Sequence, residues 1–563
     1  MLAPNTPSKS RPVPVAFGMS CGWYHPGSTD RAVLLCGPVG FEALCIRQSW
    51  NVLADMLAAR GFHVLRFDYP GEGDALDRKT GELLPDAAAD SICAAADWLQ
   101  HAAGSAALNV VALRLGAAFT LRALADRPLH RLALLAPVLN GRVFVRELRM
   151  TSQILAEIRP GQDAAEGEIN VCGFLTGAPD TAAISKIKAL PPTQAAHVLL
   201  ALEQDRPLPD EFATAESITF HGYGRMNAPP TESVVPFDDF HAVVTWIGQE
   251  QPAEAGPGSA APAEACLTGE DFTETHLRFG SNGQMVGVLC EPHARSDAPC
   301  VHILNAGANY HIGWAGMAVE HARKLAAEGI ASFRYDFSGI GDSVWYPEGP
   351  RPHIYAARHI DDAQEAIEAM AGRGYTRHAL AGLCAGGYVA FHAAGRDPRV
   401  TGAVAANAIR LVWHPDDKLD DLATEMLQPA AIYREKMLST AEWKRLLSGE
   451  ISASRVLRII ASMAQKIGKK LLLLGGVEPA LSADSQMVRG VLTKAIQNGA
   501  RLTFIHAERD QSRDESERHF GPKMHFAQKQ PGVVLMDIPG ADHELTPRPA
   551  RDRFLLAMRD LVK

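Results

Sequence analysis

Short, nearly unbroken apolar runs alternate along this chain with longer stretches whose apolar residues recur at helical spacing. Val33-Leu34-Leu35-Cys36, His302-Ile303-Leu304, Tyr375 to Leu380, Leu502 to His506 and Val533 to Ile538 are runs of the first kind, most ending in turn-forming residues. Such runs predict strands buried on both faces, and their alternation with helices predicts mostly parallel sheet covered on both sides. The pattern is also written twice. Leu57 to Asp74 (LAARGFHVLRFDYPGEGD) returns as Leu325 to Asp342 (LAAEGIASFRYDFSGIGD), an offset of 268 residues. The strand and turn Val33 to Gly40 return at His302 to Asn309, and Val111 to Gly116 return around Gly382 to Gly386, at offsets of 269 and 270. Three separate blocks in one register predict two α/β domains of one fold in tandem.

Between the copies the composition shifts to Pro, Ala, Gly and acid, which cannot form a core. The division expected is a first domain over 1–249, a linker over 250–268 and a second domain over 269–563. Within the second, the stretch from about 407 to 470 falls between the strand after the turn at Cys384 and the strand before Asp510. It carries Trp413, His414, Tyr433 and Trp443 among helical patterns and is expected to form a cap over the site.

Composition narrows the function classes. The 563 residues are 47% hydrophobic and 21% charged, as in ordinary globular proteins. A net charge of -9 offers no basic footprint for nucleic acid or an anionic membrane. Met1 to Pro14 carries Lys9 and Arg11 without a following apolar core, so no secretory signal is read there, and no apolar run is long enough to span a membrane. The nine cysteines are scattered and lack C-x-x-C spacing, which speaks against a disulfide framework or zinc site and for a reducing, cytoplasmic compartment. No metal or nucleotide cofactor is implied: Gly339-Ile340-Gly341 lacks the third glycine of a dinucleotide fingerprint, and no P-loop occurs.

The chemistry gathers at Gly382-Leu383-Cys384-Ala385-Gly386-Gly387, a G-x-C-x-G-G turn between an apolar strand and the helix-forming run from Tyr388 to Ala394. Glycines at both sides of Cys384 permit a turn tight enough to lift one side chain out of the sheet. The segment resembles the nucleophile elbow of α/β-hydrolases, with cysteine where most members carry serine, and the G-x-C-x-G-G form is similar to that of dienelactone hydrolases. In the first copy the equivalent residue is Arg114, which stays protonated and cannot act as an acyl nucleophile. Ala112 stands there in place of the first glycine, so a less sharp turn is expected. His221 and His241 lie outside any histidine-loop context and are read as structural. The first domain is expected to be a pseudo-hydrolase that supports, orients or gates the second; the alternative is that the Arg114 fork binds a carboxylate or phosphate.

The first copy's LCGPVGFE, LRFDYPGEGD and LRLGA segments resemble the α/β-hydrolases associated with bacterial exosortase systems, and the second copy's Asn305-Ala306-Gly307 and Ser338 to Ser343 are similar to the same broad group. The resemblance leaves out the linker and Trp413 to Lys470. It implies an α/β-hydrolase fold and, in the second domain, nucleophile, acid and histidine in that chain order. His543 lies in the loop Pro539-Gly540-Ala541-Asp542-His543 after a strand and before a last helix. Asp510 follows the strand Leu502 to His506, with Glu508 and Asp514 as rival acids. The site expected is therefore Cys384, His543 and Asp510, with oxyanion donors from the Ala385 and Ala308 amides and with Asn309, His311 and Trp413 toward substrate. Arg334, Asp336 and Asp342 are read mainly as turn and cap residues.

A cysteine of this kind attacks thioesters and activated esters, and its thioester intermediate is open to amines, alcohols and carbanions as well as water. Hydrolysis of an ester or thioester, acyl transfer or condensation from a CoA or carrier-protein thioester, and a non-catalytic scaffold with two dead sites all stay open at this stage. The partner expected is an acyl substrate, small or carrier-bound, with an acyl carrier protein as one carrier.

Overall fold

The computed structural model describes residues 11–105, 107–158, 164–192, 194–204, 206–249, 264–343, 354–414, 417, 481–508 and 510–563. In the N-terminal half the strands are β1 (Val13–Phe17), β2 (Ser20–His25), β3 (Ala32–Cys36), β4 (His63–Asp68), β5 (Leu108–Leu113), β6 (Leu129–Leu135), a small hairpin of β7 (Ile169–Val171) and β8 (Phe174–Thr176), β9 (Ala195–Leu202) and β10 (Glu216–Thr219). The C-terminal half adds β11 (Glu264–Thr268), β12 (Phe272–Phe279), β13 (Met285–Pro292), β14 (Cys300–Leu304), β15 (Ser332–Tyr335), β16 (His378–Leu383), β17 (Val400–Ala406), β18 (Arg501–Ala507) and β19 (Val533–Ile538). Glu264–Thr268 being a strand, the expected linker ends earlier than 268; its alternating exposed and buried residues pair antiparallel with β12. The expected cap lies outside the described residues except for 407–414 and 417.

Two sheets result, and they share one plan. The first runs β1-β2-β4-β3-β5-β6-β9-β10; the second runs β12-β13-β15-β14-β16-β17-β18-β19, with β11 added at the β12 edge. In both, the strands at one edge pair antiparallel and the rest pair parallel. The central strands are apolar throughout because helices cover both of their faces: β3 (AVLLC) and β16 (HALAGL) are buried at every position. Separate apolar clusters fill the two faces of the first sheet, and a small one made of Leu44, Cys172, Tyr310, Ile312, Trp314 and Val319 joins the halves. Among the described residues no helix is long and apolar enough to cross a membrane.

The repeated R-x-D-x-x-G-x-G-D segment builds the junction between the halves. Arg66 donates to Asp342 across it at 2.7 Å, and Arg334 returns the contact to Asp74 at 2.9 Å. Arg47 bridges Asp68 of its own half and Asp342 of the other, at 2.8 and 2.6 Å. His311 does the same with Asp336 and Asp74, at 3.0 and 2.6 Å. Each contact has its mirror, as in a self-complementary two-fold interface, here within one chain. Gly73 and Gly341 are glycine because their φ is near +56° and +55° and a Cβ would sit 2.3 and 2.4 Å from the carboxylates of Asp68 and Asp336.

Two expectations change here. Asp336 does hold its turn, accepting the Asp342 and His311 amides at 2.9 and 2.6 Å, but Asp342 and Arg334 reach across to the other half. His311 is wholly buried between two carboxylates and does not face a substrate. Burial alone would lower its pKa; Asp74 and then Asp336 outweigh that and raise it to about 10, so the ring is a buried cation at neutral pH. Burial likewise pushes Asp342 up, but Arg47 and Arg66 bring it down to about 2.

Candidate active site

Strand β16 runs into Cys384, and the helix Ala385–Arg396 starts at once. Cys384 stands at φ 53° and ψ -115°, a region that costs a non-glycine residue roughly 1–3 kcal/mol and persists only when its surroundings enforce it. The enforcement is visible. A Cβ on Gly382 would lie 2.0 Å from the Gly386 carbonyl oxygen, and one on Gly386 would lie 2.6 Å from that of Leu304. The Cys384 amide donates to Ala406 at the end of β17, at 2.8 Å. The side chain is raised at the carboxyl end of the sheet, with only 4% exposure.

His543 and Asp510 meet Cys384 as the chain order predicts. His543 Nδ1 lies 2.5 Å from Asp510 Oδ2. The Asp510 carboxylate is aimed by the Ser512 amide, which donates to its other oxygen at 2.8 Å. Of the rival acids, Glu508 instead accepts the Gly540 amide and braces the histidine loop, and Asp514 lies in the helix Ser512–Phe520. Burial disfavours the imidazolium, yet the charges of Asp510 and then Cys384 raise the His543 pKa well above its ordinary value. Burial also opposes the Asp510 charge, and His543 reverses that to hold the carboxyl below its usual range.

Two residues of this site were not singled out from sequence. Tyr355 is fully buried with its hydroxyl 3.3 Å from the Cys384 sulfur. Its ring stacks on Trp413 at 5.1 Å and meets Tyr388 edge-on at 5.6 Å, so Trp413 reaches the site through Tyr355. Asn407, at φ 45°, donates to the His543 carbonyl at 2.8 Å and accepts the Ala507 amide at 2.8 Å. One side chain thus ties the end of β17 to the acid strand and the histidine loop. A lone Tyr or Asn in a loop carries no sequence signal of such a role. Ala385 opens its helix, so its amide is not consumed by an intrahelical bond. Ala308 lies in the turn after β14, which Asn309 closes by donating its amide to Ala306, and the Asn309 side chain is 6% exposed.

The N-terminal half holds the same turn with other contents. Arg114 stands at φ 53° and ψ -123°, so the turn is as sharp as at Cys384, contrary to expectation. The turn keeps its second glycine, Gly116, where a Cβ would lie 2.2 Å from the Gly37 carbonyl oxygen, as the other half keeps Gly386. The Arg114 guanidinium binds Glu42 at 2.9 Å and Glu147 at 2.7 Å, and the Tyr223 hydroxyl also donates to Glu42. With 3% exposure and two carboxylates in place, the fork has no room for an external anion. His221 and His241 are exposed and away from it. A cavity of about 1320 Å³ opens over this turn, between Phe41, Leu115 and Phe144 of one half and Tyr310, Val319 and Arg548 of the other; Cys384 does not line it.

The family comparison falls on the C-terminal half. Residues 300–547 match the family model described as serine aminopeptidase, S33. No curated protein matches the chain at a significant level. Similar solved structures include a proline iminopeptidase of Mycobacterium smegmatis, 15% identical, spanning 53% of this chain and 97% of its own, with a TM-score of 0.31. A thermophilic esterase of Thermogutta terrifontis is 16% identical over 51% and 99%, with a TM-score of 0.29. Est1E of Butyrivibrio proteoclasticus is 11% identical over 51% and 98%, with a TM-score of 0.30. The matched segment and the sheet topology support the α/β-hydrolase fold.

Proposed function

We propose that this α/β-hydrolase chain is a cysteine-dependent acyl-enzyme catalyst, built from two duplicated domains of which only the second retains the chemistry. The observation that carries this reading is the 2.5 Å His543–Asp510 contact, together with Cys384, held on a strained turn, whose charge raises the same imidazole's pKa. The first half keeps the turn but has lost nucleophile, acid and histidine to an Arg114–Glu42–Glu147 cluster. A scaffold with two dead sites would have no reason to hold the second set in place.

In this mechanism the Cys384 sulfur attacks the carbonyl carbon of an ester or thioester. His543 holds the thiol proton and passes it to the departing alkoxide or thiolate, while Asp510 fixes the ring and balances its charge. The Ala385 amide and one from the Ala308 turn receive the developing oxyanion, each donor worth roughly 10²–10³ in rate. The Tyr355 hydroxyl stabilises the sulfur anion before attack and after release, and Trp413 walls the acyl side. The acyl group then leaves the sulfur for water, or for an amine, alcohol or carbanion acceptor. The donor is a small molecule or a carrier-bound thioester.

The test is turnover of a panel of acyl thioesters and activated esters by wild type, Cys384→Ala and Cys384→Ser, with and without added amines and alcohols. Loss of turnover in Cys384→Ala supports the mechanism, and the ratio of acid to adduct separates hydrolase from transferase. Equal, fast turnover by wild type and Cys384→Ala overturns it.

A further inference from the structure

The N-terminal half reaches the histidine loop of the C-terminal half at the tip of the β7–β8 hairpin. Gly173 stands at φ +90°, and a Cβ there would lie 2.7 Å from Thr546 Cγ2, 2.8 Å from Arg551 Nη2 and 3.2 Å from Ala315 Cβ. The preceding residue, Cys172, accepts the Trp314 indole N–H at 2.7 Å through its carbonyl. Phe41 packs edge-on against both Trp314 and Phe174, at 5.8 and 6.0 Å, and so seats the hairpin from its own half. Thr546 is three residues from His543. Its amide donates to Asp542 at 2.7 Å, and Leu545 donates its amide to the Asp542 carbonyl, which closes a turn around His543. Arg551 fastens that turn by donating to the Thr546 carbonyl at 3.0 Å. Cys172, Ala315 and Leu545 all hold positive φ, at 53°, 52° and 53°, though none is glycine. Three strained residues from three loops therefore meet at one junction, and such strain persists where contacts over-determine it.

We infer that the hairpin tip Cys172–Gly173 is a positioning element for His543, so that the non-catalytic half acts in the reaction by fixing the other half's histidine loop. The inference rests on the mechanism proposed above. Gly173 is favoured because φ +90° strains any other residue and a Cβ there would press on the Thr546 methyl and the Arg551 guanidinium that hold the histidine loop. His543 then leaves the 2.5 Å contact with Asp510, on which both its charge and its orientation depend. Displacements of about 1 Å at positions remote from the chemistry can lower rates on the order of 10²-fold.

The experiment is a double-mutant cycle of Gly173→Ala and Thr546→Ser in the full chain, read as kcat, KM and the pH profile of kcat/KM with a thioester that wild type turns over. Gly173→Ala is expected to lower kcat roughly tenfold to a hundredfold with little change in KM, and to shift the limb of the pH profile that reports the histidine. Thr546→Ser alone, which removes the crowded Cγ2, is expected to be near wild type, and the double variant to regain part of the lost kcat, the Arg551 contact and the φ of +90° being unchanged. Wild-type kcat in Gly173→Ala, or no recovery in the double variant, overturns the inference. Should Gly173→Ala not fold, Trp314→Phe removes the donor to Cys172 while leaving a smaller aromatic ring against Phe41; a several-fold fall in kcat at unchanged KM supports the inference and an unchanged kcat overturns it. A wild type that forms no acyl-enzyme would instead reject the mechanism, an outcome these variants cannot mimic.

Discussion

Replacing Asp74 by Asn tests the junction between the halves. The carboxylate is buried and accepts from Arg334 at 2.9 Å and from His311 at 2.6 Å, and both donors are themselves fully buried. An amide of the same shape removes the charge and leaves two buried cations facing each other across it. Breaking a buried pair by removing one partner costs about 3–5 kcal/mol. Arg334 keeps Glu274 at 2.7 Å and His311 keeps Asp336 at 3.0 Å, so the lower end, about 3 kcal/mol, applies. For units of this size that is a fall of roughly 6–12 °C in the calorimetric transition. Asp342→Asn should cost a similar amount, because Arg66 and Arg47 lean on it in the mirror position. The control is Asp86→Asn, which breaks an exposed pair with Arg122 and should shift the transition little. Shifts below about 1 kcal/mol for both Asp74→Asn and Asp342→Asn would refute the claim that these groups are desolvated between docked halves.

Other outcomes follow from the same contacts. His311 has a folded pKa of about 10, above the unfolded value of about 6.5, so its contribution is complete below about pH 6.5 and lost as pH rises toward 10. Urea midpoints should fall across that window in wild type and fall less in His311→Gln; parallel curves would count against the buried cation. Tyr355→Phe removes the hydroxyl from the Cys384 sulfur and should slow acylation roughly tenfold to a hundredfold, as expected for a hydrogen bond to a charged group, with the fold retained by circular dichroism. Gly382→Ala places a Cβ 2.0 Å from the Gly386 carbonyl oxygen and should abolish acylation while the far-ultraviolet spectrum persists; a normal rate would show that the turn is softer than its geometry implies.

What the sequence made legible was whatever repeats or has a fixed local context. The three registered blocks predicted two sheets of one plan, and the strand orders agree. Cys384, Asp510 and His543 could be proposed because each follows an apolar run in the right order, and the structure places His543 on Asp510. What escaped was long-range. His311 follows the turn after β14 and looked substrate-facing, but its two carboxylates come from Asp74, 237 residues away, and Asp336. For Arg114 the alternative of anion binding stayed open in the sequence because its partners Glu42 and Glu147 lie 72 and 33 residues away. The sharpness of its turn was misjudged from Ala112, since Arg114 holds φ 53° and ψ -123° with alanine at that position. The reciprocity of the two R-x-D-x-x-G-x-G-D segments could not be read from either alone, since each supplies acids to the other's arginine.

The central claim is that Cys384 becomes acylated. Its most direct test is intact-protein and peptide mass spectrometry of wild type and Cys384→Ala after rapid mixing with an acyl thioester and acid quench. A single acyl increment on the peptide carrying Cys384, absent from the variant and from the other eight cysteines, is the predicted result. Turnover of the thioester with no increment at Cys384, or an increment that survives in Cys384→Ala, would contradict the account.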